Sequence, residues 1–227
     1  MNYKILTMLS CFLFAIIVLF GHISAAYGDV VPIYVYVDIK PGSWPNPINI
    51  RSKGVFAVAI CGTQDFNVMV IDPPTVKIYI NGITEGVLPI RWSYEDVATP
   101  YIGPDGGGHE LGGDSYMDIV FHFETQTVVN TLKLYEHAGE TIPLWIKGNL
   151  TNGKAFWGRD YVWVIDLPGD VNSDASVDIL DGVIIARAWG STSNPGSNWD
   201  PRADVNDDNE VNLFDATIVA LNWGKTP

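Results

Sequence analysis

Cationic side chains and cysteines are scarce in this chain of 227 residues: 13 Lys and Arg stand against 26 Asp and Glu, a formal charge of −13, and there are two cysteines. The shortage of cations argues against nucleic acid or an anionic membrane as partner, because phosphate contact needs clustered basic groups. It leaves metal cations as natural company. Cys11 falls in a removable leader, so Cys61 has no internal disulfide partner and packing or metal must hold the mature fold. Cys61 ends the apolar run Ala57–Cys61 and reads as a buried structural thiol. G-x-S-x-G, H-E-x-x-H and zinc-spaced Cys/His patterns are missing. His109, His122 and His137 belong to no matching constellation, so the expectation is a protein that is not an enzyme.

A long apolar run occurs once, from Ile5 to Phe20 behind Lys4, followed by the small-residue stretch Gly21–Ala26. That order predicts a signal peptide over residues 1–26, with an uncleaved anchor as the alternative. The mature chain is then expected to be secreted, extracellular or at the cell surface, and free of the membrane after cleavage.

Residues 30–166 have the pattern of an all-β, Ig-like antiparallel sandwich. Ile33, Val35, Val37 and Ile39 alternate with polar or aromatic residues, as do Val76, Ile78 and Ile80; Ile142, Leu144 and Ile146; and Val162 and Val164. Gly54–Ile60 is apolar on both faces, as a central strand would be. Pro41-Gly42, Pro73-Pro74, Asn81-Gly82, Gly103–Gly108 and Asn152-Gly153 separate seven or eight predicted strands. One short helix is expected within Thr125–Glu136.

The pattern changes at Pro168-Gly169, and residues 167–227 form a second predicted domain. Ten acids and two arginines between Asp170 and Asp215 put a net −8 in this segment. Shifting the chain by 34 residues lays Asp170–Gly190 on Asp204–Gly224 with ten of 21 positions identical, the mark of a duplicated unit. Each unit begins D-x-N-x-D, with Val at the eighth place and Asp at the twelfth. Ca²⁺ takes six to eight oxygens at ~2.3–2.6 Å, and alternate residues of a tight loop can supply them. The expected ligands of one ion are Asp170, Asn172, Asp174, Ser176 (backbone), Asp178 and Asp181; those of a second are Asp204, Asn206, Asp208, Glu210 (backbone), Asn212 and Asp215. Val177 and Val211 are expected to pair the loops back to back. The sixth place favours Gly for a left-handed backbone but holds Ala175 and Asn209; Asn enters that region more readily than Ala, so the first site should be the weaker. Helices are predicted over Leu180–Trp189 and Phe214–Trp223, stopped by Gly190 and Gly224. Ile184 and Ala188 would share one stripe and Ile218 and Asn222 another, with Trp189 and Trp223 closing a small core. Leu167-Pro168-Gly169 and the broken stretch before Asp204 argue against an entering helix, leaving two EF-hand-like loop–helix halves.

These duplicated D-x-N-x-D…D loops resemble the type I-like dockerin module of cellulosome-type assemblies, over about Gly169–Lys225. The resemblance implies two Ca²⁺ ions and a helix face that docks into a cohesin-type protein domain. In well-studied dockerins the tenth and eleventh loop places often carry Ser and Thr; here they are Ile179-Leu180 and Leu213-Phe214. With Ala186, Arg187, Ala220 and Leu221 further along, they imply an apolar partner face, unless the first four are ordinary core. Segments such as Val37–Ser43, Asn49–Val55 and Ile71–Val76 resemble an uncharacterised sandwich domain of secreted bacterial and archaeal proteins, without an established activity.

A weaker alternative is a carbohydrate-binding accessory protein or glycoside hydrolase component using the β domain, with polysaccharide as a further partner. Glu95, Asp96, Glu110, Asp114 and Asp118 could supply glycosidase carboxylates, hold a third calcium or be solvated. Trp44, Trp92, Tyr94 and Tyr101 could stack on sugar rings or belong to core and rim. Asn149-Leu150-Thr151 is a glycosylation sequon where the host modifies such sites.

Overall fold

The alternation from Ile33 to Lys40 predicts one strand, yet the chain changes sheets in the middle of it. Val35 N–H donates to the Trp157 carbonyl at 2.9 Å, whereas the Tyr36 carbonyl accepts from Cys61 N–H at 3.0 Å. The result is two short strands, β1 (Ile33–Tyr34) and β2 (Val37–Ile39), in different sheets. The remaining strands are β3 (Pro47–Asn49), β4 (Val55–Ile60), β5 (Ile71–Tyr79), β6 (Arg91–Glu95), β7 (Asp118–Glu124), β8 (Thr141–Leu150) and β9 (Ala155–Ile165). The computed structural model describes residues 31–103, 108–194 and 197–227. The leader expected over residues 1–26 lies outside the described residues, as does the centre of the Gly103–Gly108 turn.

One sheet has the order β1-β9-β8-β5, with β3 also on β9; the other runs β2-β4-β7-β6. The pairing is mixed, which corrects the antiparallel expectation. β1 and β3 both lie parallel to β9, at Phe156–Trp157 and at Trp163–Ile165. An eleven-residue strand offers more edge than one hairpin partner covers, and short segments arriving by crossover complete it. β4 is central, as its two-faced apolar pattern predicted, with β2 on one side and β7 on the other. Pro73 and Pro74 cannot donate to a ladder, and the β5–β8 register shifts between Asp72 and Lys77, around them. The two sheets share one core, in which Ile39, Val58, Ile60, Phe121 and Phe123 meet Val76, Ile78, Leu144, Ile146, Val162 and Val164.

The expected helix over Thr125–Glu136 is interrupted. Helix α1 spans Thr125–Thr131, Lys133 takes a left-handed φ of 54°, and a 3₁₀ turn follows at Leu134–His137. Leu132 and Leu134 are both fully buried. Two residues apart on one regular helix they would face nearly opposite ways, so the break brings both to the core.

The C-terminal segment carries helices α2 (Ile179–Ala188) and α3 (Leu213–Asn222), one residue earlier at each end than expected. Among the described residues no helix lies between β9 and the first loop or between α2 and the second. Val177, Ile185, Ala188, Val211 and Val219 form a second small core with Ile165 and Leu167. Its helical stripe is centred on Ile185 and Val219; Ile184 packs against it beside Ala188, as expected of the first helix, whereas the second helix contributes Val219 rather than Ile218. Trp189 and Trp223 do not close it: each is 54% exposed, and Trp163 of β9 and Trp199 pack there instead. Both displaced tryptophans sit just past the last helical turn, where the extended backbone turns them outward.

Residues Pro32–Pro227 make one compact unit, and short polar ties join the sheets to the second core. Asn49, fully buried on β3, donates to the Leu167 carbonyl at 2.9 Å and to the Asp170 carbonyl at 3.2 Å. Among the described residues no helix is long and apolar enough to cross a membrane.

Candidate metal loops and the exposed helix face

The two loops are built alike, bond for bond. In the first, Asp170 Oδ1 accepts from Asp174 N–H (3.1 Å) and Oδ2 from Ala175 N–H (3.2 Å); in the second, Asp204 does the same with Asp208 and Asn209 (3.1 Å each). Asp174 Oδ1 accepts from Ser176 N–H and Asp208 Oδ1 from Glu210 N–H, both at 2.9 Å. Asn172 and Asn206 donate through Nδ2 to Asp174 and Asp208 at 2.8 Å. The twelfth-place acids clamp each loop onto its helix. Asp181 Oδ1 accepts from Val171 and Asn172 N–H and Oδ2 from Asp178 N–H; Asp215 repeats this with Val205, Asn206 and Asn212.

Asp178 and Asn212 serve as N-caps, each accepting from the N–H two residues on, and with Asp181 and Asp215 they complete reciprocal capping boxes. The spacing that suggested a ninth-place ligand thus also specifies a helix start. Backbone φ is positive at the fourth and sixth places of both loops: Ser173 (62°), Ala175 (70°), Asp207 (65°) and Asn209 (67°). Ala175 holds the strained conformation its position demands.

Val177 and Val211 are both fully buried in the same small core, and their backbone groups bond to the helix exits. Val177 N–H donates to the Lys225 carbonyl and its carbonyl accepts from Gly224 N–H; Val211 does the same with Ser191 and Gly190. Each loop is therefore tied to the exit of the other helix. The two helices run antiparallel as a consequence, and the glycines that end them (φ 74° and 73°) form the far side of each loop contact.

Side-chain carboxylates and backbone N–H groups satisfy one another here, and no group of three or more His, Cys, Asp and Glu among the described residues is drawn together as a metal-holding cluster. The donor set still fits a hard divalent cation. Each loop offers oxygens alone, and it buries two carboxylates: Asp170 with Asp181, and Asp204 with Asp215, each at most 4% exposed. Burial first, then the neighbouring charges of Asp181 and Asp174, pushes the Asp170 carboxyl up to about 6. Burial also raises Asp181, against the three N–H groups that favour its charge. A cation would relieve that repulsion.

The repeat does not announce the groups that reach the loops from the sheets. Lys40 Nζ donates to the Ser173 carbonyl and to the Pro47 carbonyl, both at 2.8 Å. Lys53 Nζ donates to the Asp204 carbonyl and pairs with Asp207 Oδ1 at 2.7 Å. Both lysines grip the fourth or first place of a loop from outside. No spacing signal links Lys40 and Lys53 to residues more than a hundred positions away; burial of Asn49 among polar loop atoms is a tertiary fact.

On the two helices, Ile179 (62% exposed), Leu180 (53%), Leu213 (67%), Phe214 (68%) and Leu221 (75%) lie open to solvent. Ala186, Arg187 and Ala220 are exposed as well. None of the first four is core, so that alternative is corrected.

A family model described as the dockerin type I domain matches residues 168–221. The C-terminal module is a dockerin-like domain. Among solved structures, the "Type II cohesin-dockerin domain from Bacteroides cellolosolvens" is 34% identical over 27% of this chain and 92% of its own, with a TM-score of 0.23. No curated protein matches the chain. The family match supports attachment of the dockerin–cohesin type for the module at the level of its family.

Of the other acids named from the sequence, Asp118 and Asp96 brace loops. Asp118 Oδ1 accepts from Gly62 N–H and Oδ2 from Val97 and Ala98 N–H, all at 2.9 Å; Asp96 accepts from Asp114 and Ser115 N–H. Glu95 Oε1 accepts from the Ser93 hydroxyl at 2.6 Å, and His137 meets Glu140 at 2.8 Å. Glu110 and Asp114 lie in the connection before β7 and His122 on β7; His109 meets the Tyr101 ring edge-on. Trp92 and Tyr94 stand on the edge strand β6. Cys61 is buried and its thiol pKa is pushed up by that burial and by Asp118, which suits an inert side chain.

Two acids on neighbouring strands were missed. Asp38 on β2 is 7% exposed with Oδ2 lacking any hydrogen-bond partner. Its carboxyl is pushed up to about 8, by burial first and then by Asp160 and Asp118. Asp160 of β9 is pushed up to about 6 by burial, although Ile39 N–H, Tyr161 N–H and Asn46 Nδ2 all donate to it. The alternation places Asp38 on the face opposite Val37 and Ile39; in register with Ala59, it is buried on the side where Ala59, Cys61, Ala98 and Val120 cluster, not in the core between the sheets.

Proposed function

We propose that this is an exported, non-catalytic attachment protein whose dockerin-like module binds two Ca²⁺ ions and docks a helix face into a cohesin-type domain. The observation that carries the reading is the division of labour in each repeat: buried oxygen donors on the loop side, and exposed large apolar residues at the start of each helix. Asp170, Asn172, Asp174, Asp178, Asp181 and the Ser176 carbonyl would hold one ion, and Asp204, Asn206, Asp208, Asn212, Asp215 and the Glu210 carbonyl the other. Bound Ca²⁺ would supply charge neutralisation and order. The chain's own part is to fix the two helices antiparallel through Val177 and Val211 and to start each with a capping box, so that Leu213 and Phe214 are presented on a rigid turn. The EF-hand kinship of the loops, the Ig-like kinship of the sheets and their resemblance to a domain of secreted proteins belong to the same proposal. A carboxylate network spent on bracing turns supports the non-catalytic part.

The test is calorimetric titration of the whole chain with a type I and a type II cohesin domain, in calcium and again in chelator. Saturable binding of one class in calcium only is the expected result; absence of binding to both classes in calcium would sink the reading. A second measurement addresses the loops. Ca²⁺ titration should show the second loop filling first, and Ala175→Gly should tighten the first site about fivefold, because relief of a left-handed alanine is worth about 1 kcal/mol. Unchanged affinity in that variant would mean the strain at Ala175 has no bearing on the ion.

A further inference from the structure

The outer face of the β1-β9-β8-β5 sheet carries rings and cations in two cross-strand rows. Register places Tyr79, Trp145 and Arg159 side by side on β5, β8 and β9. The next row holds Lys77, Lys147, Trp157 and Tyr34, from β5, β8, β9 and β1. The two sets interlock. Trp145 and Trp157 have centroids 5.4 Å apart, Lys147 Nζ lies 5.1 Å from the Tyr79 ring, and the Arg159 guanidinium lies 5.5 Å from Trp145. A groove of about 580 Å³ is lined by Tyr79, Trp145, Lys147 and Trp157 together with Asn81 and Asn149, and Lys77 stands next to Lys147 in register.

Two features make this more than a decorated sheet. Lys77 and Lys147 stand directly opposite each other, and neither has a carboxylate partner among the described residues. Like charges facing across a strand pair are unfavourable, and in a chain of −13 acids are plentiful enough to have been placed beside them. The rings meanwhile form a stepped, open surface rather than a closed core pocket. A flat partner with apolar C–H faces and anionic substituents satisfies both features at once, its rings on Trp145 and Trp157 and its charge at Lys147, with Lys77 beside it in register.

We propose that this face binds an acidic oligosaccharide of the uronate class. Stacking would come from Trp145, Trp157 and Tyr79, and selection for a carboxylate from Lys77 and Lys147. Trp44, Trp92, Tyr94 and Tyr101, the rings the sequence suggested for sugar stacking, are outside this groove. The site is separate from the helix face, so its failure and the failure of the proposed attachment are read independently.

The experiment is titration of the whole chain with trigalacturonate and with cellotriose, too short to gel, alongside Lys77→Gln/Lys147→Gln and Trp157→Ala variants whose melting temperatures are recorded. Saturable binding of trigalacturonate is expected, with cellotriose weaker. The lysine pair variant should lose at least about tenfold in affinity, and most of its salt dependence, at a melting temperature no lower than the original, since it also removes the like-charge pair. Trp157→Ala should lose binding of both sugars. No saturable binding of trigalacturonate, equal binding of both sugars, undiminished affinity in the lysine variant, or tighter binding of a single-stranded oligonucleotide would each overturn the proposal.

Discussion

Replacing Leu213 and Phe214 together with Asp is expected to reduce affinity for a cohesin-type partner by three orders of magnitude or more while leaving Ca²⁺ binding and the fold in place. The asymmetry follows from exposure. Both side chains are about two-thirds exposed in the free chain, so they contribute little to its core. In a complex, burying a Leu and a Phe contributes roughly 1.5–3 kcal/mol each, and an unpaired charge in the same position adds a penalty of its own. Together those terms exceed the roughly 4 kcal/mol that a thousandfold change requires. Asp also suits the first turn of a helix, so α3 should form as before. The same pair at Ile179 and Leu180 tests the symmetry-related face, and a four-residue variant removes both. Wild-type affinity in the four-residue variant would show that the partner uses another surface. Circular dichroism and a Ca²⁺ titration of each variant separate lost docking from lost folding.

A second large effect is expected at Asp38, through pH. Its carboxyl is buried, one oxygen is unpartnered, and it keeps its proton in the folded chain up to about pH 8, whereas in the unfolded chain it loses it near 3.8. Between those values the folded state holds more protons than the unfolded one. The contribution is therefore fully present below the lower value and is lost as pH rises through the window, at up to about 1.4 kcal/mol per pH unit. Asp160 adds a similar loss that ends near pH 6, where its own folded value lies. From pH 6 to 8 the decline should be Asp38's, about 2 kcal/mol, and Asp38→Asn should remove it. Urea unfolding at both pH values, with calcium held constant, reads the difference. Equal slopes in the two proteins would mean that Asp38 is already ionised in the folded chain at pH 6.

The local part of this protein was legible in its residues. The acid at the twelfth place, the left-handed sixth place and the glycine after each helix all belong to one repeat unit of 21 residues, which recurs 34 positions on. Short-range geometry constrains such groups whatever surrounds them. The alternating runs likewise located most strands, because burial of one sheet face imposes a period of two wherever the strand lies.

What depended on distant partners could only be decided in three dimensions. The crossing from one sheet to the other at Val35–Tyr36, the parallel seating of β1 and β3, and the crosswise ties of Val177 and Val211 have no local signature, since each joins segments far apart in the chain. The break after α1 arises because Leu132 and Leu134 must both reach one core. Tertiary packing also buried Asp38 on the face away from the main core, brought Lys40 and Lys53 to the loops and set Lys77 against Lys147. Alternation determines which face a side chain takes on its own strand; register, which long-range packing sets, determines what stands beside it.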